Sequence, residues 1–182
     1  MAEAPAGTRR EVADQVARIS HLTRDLLDYA KPWKLASQSI DLAAQVRAAA
    51  MRLPRVSLGP GLERPLWLLA DARRIDQALV NLLENARTAV AADGNAAGHV
   101  HVDAEQQDNQ LLLHVCDDGP GVPSEIRDRV FEPFASRSPG GTGLGLAIVA
   151  RIMTAHGGSV VLGHRPPWRT CFTLRFPITP SP

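Results

Sequence analysis

Asn81-Leu82-Leu83-Glu84-Asn85-Ala86 puts two amides four residues apart within a run that reads as one long amphipathic helix. At that spacing both amide side chains project from a single helix face. Ala78, Leu79, Leu82, Leu83 and Ala86 form the face that must be buried. Asp71 stands where an N-cap is needed and Asp93-Gly94-Asn95 signals a turn, so the helix is expected over about 72–92.

Outward from this helix, strand-like and helical segments alternate. Asp41 reads as the N-cap of a helix that runs through Val46 to Met51 and is ended by Pro54, and strands are expected near 56–58 and 66–70. Two further strands, about 99–105 and 111–117, flank the polar turn 106–110. A helix over 143–156, stopped by Gly157-Gly158, and strands at 159–163 and 170–176 close the chain. There is no regular strand–helix–strand repeat. The expected class is therefore α+β, a two-layer sandwich whose mixed, mostly antiparallel sheet packs on helices.

Two more strings carry chemistry. Asp117-Asp118-Gly119-Pro120-Gly121 ends a strand with a carboxylate that can accept a hydrogen bond from the exocyclic amine of adenine. Gly119 and Gly121 let the backbone pass close to a flat ring, while Asp118 reads as a solvated turn residue. Gly140-Gly141-Thr142-Gly143-Leu144-Gly145-Leu146 opens directly into an apolar helix, whose N-terminal amides and dipole favour phosphate. It is not a P-loop, because no Lys-Ser/Thr follows, nor a dinucleotide fingerprint. Amide oxygens such as those of Asn81 and Asn85 are hard ligands that Mg²⁺ accepts beside phosphate oxygens and water.

Taken in this order, the strings resemble the N, G1 and G2 boxes of the ATP-binding catalytic domain of bacterial sensor histidine kinases, in the GHKL superfamily shared with gyrase, MutL and heat-shock chaperone ATPases. Phe131-Glu132-Pro133-Phe134 resembles the F box, and Thr170-Cys171-Phe172-Thr173-Leu174-Arg175-Phe176-Pro177 the closing strand. The resemblance covers about 35–178 and implies ATP and Mg²⁺ as ligands. It implies Asn85 on the metal, Asn81 supporting metal and phosphates, and Asp117 on adenine, with Gly119 and Gly121 beside the ring. The amides of Gly141, Thr142, Gly143, Leu144 and Gly145 would hold the phosphates. A short lid, about 122–140, as in nitrogen-regulatory-type kinases, would be anchored by Phe131 and Phe134. Arg137, adjacent to Ser138 where such relatives often carry Lys, would reach the γ-phosphate.

Gyrase-like ATPases place a glutamate where this chain has Asn81. An amide cannot take a proton from water, so donation of the γ-phosphoryl group to a separate nucleophile fits better than hydrolysis. Glu84 sits at the edge of the amide face and reads as a surface or supporting residue. Thr88 stands where many such kinases carry Lys or Arg.

Residues 8–30 repeat apolar side chains at Val12, Val16, Ile19, Leu22, Leu26 and Tyr29, a narrow seam on a helix of roughly 33 Å that Lys31-Pro32 stops. Such a coiled-coil-like seam needs a partner. It resembles the second helix of the dimerisation and histidine-phosphotransfer domain, so 1–34 is expected to be its remnant and 35–182 the catalytic domain. His21 lacks the context of a phospho-acceptor, and His156 reads as a helix-end residue. The implied partners are a histidine-bearing dimerisation helix of the same kinase and a downstream response regulator. A homodimer is left open.

The 182 residues, 45% hydrophobic and 21% charged, suit one soluble domain with an appendage. A net charge of +1 gives no electrostatic reason to expect nucleic acid or a membrane surface. No apolar run approaches a spanning helix and the N-terminus lacks a signal-peptide core, so a cytoplasmic location is expected. Cys116 and Cys171 read as buried thiols rather than a disulfide. The functional expectation is a histidine kinase catalytic domain unable to autophosphorylate alone. A nucleotide-responsive binding module, or an anti-sigma-type serine kinase of the same superfamily, is the alternative.

Overall fold

The computed structural model describes residues 15–16, 19–20, 22–23, 25–92, 98–135 and 141–178. In order, the elements after the N-terminal helix are β1 (Gln38–Asp41), α1 (Leu42–Ala50), β2 (Val56–Leu58), β3 (Trp67–Ala70), α2 (Ala72–Ala92), β4 (Val100–Gln107), β5 (Gln110–Asp117), α3 (Ser124–Arg127), α4 (Gly145–Ala155), β6 (Ser159–Arg165) and β7 (Trp168–Pro177). Five strands form one sheet in the order β2-β4-β5-β7-β6. Only β2–β4 is parallel; β4, β5, β7 and β6 pair antiparallel. The two-layer sandwich expected from the sequence is the fold observed.

The sheet turns one face to the helices, and its central strand β5 is buried on both faces from Leu111 to Asp117. Leu111, Leu113 and Val115 of β5, with Phe172, Leu174 and Phe176 of β7, join the core formed with the helices. From α2, Ile75, Ala78, Leu79, Leu82, Leu83 and Ala86 are buried at the helical spacing; α4 contributes Ile148, Val149, Ile152 and Met153. The opposite sheet face is sealed by polar contacts. His114 lies between the Thr173 hydroxyl at 2.9 Å and Glu105 at 3.1 Å, and Arg165 reaches the same Glu105 oxygen at 3.2 Å. Burial and the nearby Arg165 hold the His114 imidazole below its ordinary pKa.

Three expectations change. The segment 66–70 is not part of the main sheet: β3 pairs antiparallel with β1, a strand the sequence did not announce. Both strands are four residues long, too short for periodicity to reveal. The polar turn is tighter than 106–110, because β4 runs to Gln107 and Asp108 takes the left-handed conformation at φ 52°. Finally, Cys116 and Cys171 are not separate thiols: the β5–β7 register sets them opposite each other and a disulfide joins them. Separated by 55 residues in sequence, they become neighbours only once the strands pair.

Two aspartates position the helices. Asp41 caps α1 by accepting from Ala43 N at 3.0 Å and also accepts from Leu66 N at 2.9 Å, which fixes the entry to β3. Asp71 does the same for α2: one carboxylate oxygen accepts from the backbone N–H of Arg73 and Arg74, the other from Ala36 N at 3.0 Å. The Asp71 N–H donates to His156 Nε2 at 3.0 Å, and His156 Nδ1 meets Ile152 O at 2.7 Å. The helix-end reading of His156 thus holds, with the added role of tying the end of α4 to the start of α2.

The described residues of 15–30 are helical, with Val16, Ile19, Leu22 and Leu26 exposed along the seam. The last turn of this helix and the segment after it dock on the sandwich. Asp28 pairs with Arg74 and accepts from Gln77 at 2.9 Å. The Trp33 ring is held between the Arg74 guanidinium at 4.1 Å and that of Arg151 at 4.3 Å. His21 and the turn 93–95 lie outside the described residues.

Burial alone would raise the Asp71 pKa, but the three amides and the Arg74 cation outweigh it and hold the carboxyl below its ordinary value. A depressed pKa contributes stability that is present above the unfolded value of about 3.8 and is lost as pH falls through the folded one. Asp71→Ala is expected to lower the unfolding free energy by about 2 kcal/mol at pH 7. Urea melts should show that gap constant down to about pH 4 and shrinking below it.

Candidate nucleotide site

The helix α2 presents its amide face to a cavity of about 440 Å³ between itself, the end of β5, the lid and the start of α4. Asn81, Glu84, Asn85 and Thr88 line one wall, and Asp117 lies at another. Gly121, Gly141, Thr142, Gly143 and Gly145 also line it. The sequence strings therefore converge, although up to 64 residues separate them.

Asn81 is fixed by its neighbours. Its Nδ2 donates to Gly145 O at 3.2 Å, which ties the amide wall to the first turn of α4. This leaves the Asn81 carbonyl oxygen as its remaining acceptor. Asn85 is exposed on the same face. Glu84 is held at 2.8 Å by the guanidinium of Arg87, so it is a paired surface carboxylate at the cavity rim. Among the described residues no group of three or more His, Cys, Asp or Glu could hold a metal. The donor set that fits a hard cation here is neutral amide oxygen, to be completed by phosphate and water.

Asp117 is the electrostatic centre of the cavity. It ends the strand that runs through the core and is 1% exposed. Its Oδ1 accepts from Gly119 N at 3.0 Å, and the Thr170 hydroxyl across the β5–β7 pair donates to it. Burial dominates over both contacts and pushes its pKa up to about 6, with Asp118 adding repulsion. A carboxylate held this way has strong reason to accept further donors. Gly119 is required by close approach: a Cβ there would lie 2.9 Å from Asp117 Oδ1 and 3.0 Å from the Ala89 backbone. Asp118 is a partly exposed turn residue that does not line the cavity, and it accepts from His99 N at 2.8 Å, which fastens the turn to the start of β4.

The glycine loop enters α4 through Leu144, which is fully buried and anchors the loop from below. Gly143 has φ 68°, a conformation that suits glycine, and its carbonyl accepts from Phe134 N at 2.9 Å. Gly119, Leu144 and Phe131 are not among the cavity-lining residues. Phe131 packs edge-on to Phe172 at 6.0 Å behind the wall, anchoring the lid as expected. Phe134 differs: it is 62% exposed, and it holds the loop through its backbone rather than by apolar contact. Arg137 lies outside the described residues.

The sequence reading missed much of the apolar wall. Ala89, Val122, Ile126, Val130, Leu146 and Phe172 all line the cavity, as does Thr170. Phe172 and Thr170 stood in the string read as a closing strand. Their role depends on β7 pairing with β5, which no local pattern shows.

A two-layer sandwich with a buried strand-end carboxyl, an amide-bearing helix and a glycine loop around one cavity defines an ATPase-type nucleotide-binding domain. Residues 70–180 match the family described as histidine kinase-, DNA gyrase B-, and HSP90-like ATPase, and the chain belongs to that family. The nitrogen regulation protein NtrY of Azorhizobium caulinodans is 33% identical over 162 residues, which is 85% of this chain and 21% of that protein. The sensory histidine kinase/phosphatase NtrB of Rhodobacter capsulatus is 37% identical over 122 residues, 62% of this chain and 34% of that one. The chain thus spans a fifth to a third of these two relatives. Among solved structures, the catalytic domain of the histidine kinase ThkA matches at a TM-score of 0.67 and 26% identity, covering 79% of this chain and 97% of that one. Full-length ShkA in complex with AMPPNP matches at 0.77 and 28% identity, covering 99% of this chain and 41% of that one.

The raised pKa of Asp117 fixes the sign of a stability effect. Below about pH 3.8 the carboxyl is neutral folded and unfolded and costs nothing. Between there and about pH 6 the unfolded chain ionises first, so the cost grows, and above that it is complete at about 2–3 kcal/mol. Asp117→Asn keeps the acceptor for Gly119 N without the charge. It is expected to stabilise the ligand-free domain by about 1–2 kcal/mol at pH 7.5, a gap that closes toward pH 4. Urea unfolding across that range checks it.

Proposed function

We propose that this chain is the ATP-binding catalytic part of a two-component sensor histidine kinase that works in the cytoplasm. Residues 35–182 form the catalytic domain, and 1–34 belong to the dimerisation and histidine-phosphotransfer domain. The observation that carries the reading is one cavity with Asp117 at its buried end, and Asn81 and Asn85 on the wall that faces the glycine loop. Asp117 accepts the exocyclic amine of adenine, and the glycines beside it leave room for the ring. The loop amides from Gly141 to Gly145 hold the phosphates together with the N-terminus of α4.

Asn85, with Asn81 in support, would hold Mg²⁺, which would supply positive charge to the phosphate oxygens. The family resemblance assigns Arg137 to the γ-phosphate. The identity of residue 81 separates transfer from hydrolysis. An amide already donating to Gly145 O cannot act as a base toward water. The γ-phosphoryl group therefore passes to a histidine on a dimerisation helix of the same kinase, and from there to a response regulator. The full-length ShkA neighbour was solved with AMPPNP, which supports the choice of nucleotide.

Calorimetry with an ATP analogue tests the site. Asn85→Ala should weaken Mg²⁺-dependent binding at least tenfold and leave the metal-free component intact. Asp117→Asn should weaken both. Unchanged affinity in both variants removes the assignment. For the reaction, a histidine-bearing helical hairpin supplied in trans should gain acid-labile phosphate from ATP, while the chain alone gains none. If nucleotide binds but no histidine is phosphorylated, a nucleotide-responsive binding module replaces the kinase.

A further inference from the structure

Strands β5 and β7 lie side by side in the middle of the sheet, and their register sets two consecutive pairs against each other. Cys116 faces Cys171, and one residue further on Asp117 faces Thr170. The cysteines are joined by a disulfide, their Cα atoms are 4.0 Å apart, and each is at most 2% exposed. Asp117, Thr170 and the residue after Cys171, Phe172, all line the cavity. The covalent link thus sits one residue behind the carboxyl and hydroxyl at the adenine end. Nothing in the kinase reading uses it.

We propose that Cys116 and Cys171 are a redox modification site through which a peroxide-class oxidant and a dithiol-class reductant set the nucleotide affinity of the cavity. The inference rests on the reading of this cavity as the ATP site. With the bond closed, β5 and β7 are cross-linked beside the Asp117–Thr170 pair, and that end of the site is preorganised. When it opens, two thiols must fit at full van der Waals contact in a layer that is already packed. The strands shift apart there, and the Thr170 hydroxyl moves relative to Asp117.

A protein working in a reducing compartment has no use for a permanent disulfide; such bonds are transient and redox-sensing. Closure breaks two S–H bonds and forms one S–S bond. The two electrons and two protons pass to the peroxide, whose O–O bond breaks to give two waters. In the reverse direction a dithiol takes the bond by exchange and leaves as its own disulfide. Both sulfurs are buried, so each direction requires local opening of the sheet end, and the states are compared after equilibration.

The test uses the 182-residue chain equilibrated with peroxide or with excess dithiol. Alkylation and intact mass give the disulfide fraction, and calorimetry gives the affinity for an ATP analogue in each state. The oxidised chain should bind about fivefold more tightly. Cys116→Ser with Cys171→Ser should show one affinity in both buffers. By reciprocity, saturating nucleotide should move the dithiol ratio at half-oxidation by the same factor. The switch is overturned by free thiols after peroxide, by equal affinity, by tighter binding in the dithiol state, or by a redox response that survives in the double variant. Equal affinity leaves the kinase reading standing, whereas no binding in either state overturns both.

Discussion

A carboxyl group is forced into the core at the end of the central strand, and the site is arranged around that constraint. Burial pushes the Asp117 pKa up to about 6, against the opposing effect of the Gly119 amide and the Thr170 hydroxyl. An interior that merely needed to pack would place an apolar side chain there. The charge therefore has to be justified by something that arrives, and a donor at the edge of a flat ring meets that need. Gly119 has no room for a Cβ, and the neighbouring wall is apolar, built from Val122, Ile126, Val130 and Phe172.

The other end of the cavity depends on two helices being held as a unit. At one end of α4, His156 accepts from the first amide of the α2 cap; at the other, Gly145 accepts from Asn81. The glycine loop and the Asn81 wall of the cavity are thereby locked to each other, while the segment between β5 and α4 is secured by Phe131 on Phe172. Residues 28–36 grip the same two helices through Arg74 and Arg151.

How much of this was legible follows from where the information lies. The helix over 72–92 was readable because its apolar positions recur at three and four and Asp71 caps it, both local signals. Asn81, Asn85, Asp117 and the glycine loop were readable because their chemistry is unusual for their positions. The β1–β3 pair was not, since four-residue strands carry too little periodicity. Thr170, Phe172 and the disulfide were hidden for a different reason: each takes its place only through the β5–β7 register, and register is a tertiary fact. The bond that Asp118 accepts from His99 N was hidden in the same way, because His99 comes from just before β4.

The central claim is that Asp117 reads the base while Asn85 carries the metal. A crystal structure of the chain with Mg²⁺ and a non-hydrolysable ATP analogue tests it most directly. The account requires the exocyclic amine of adenine within hydrogen-bond distance of the Asp117 carboxylate, and the metal on the Asn85 amide oxygen. Adenine seated away from Asp117, or a metal held without Asn85, would contradict it.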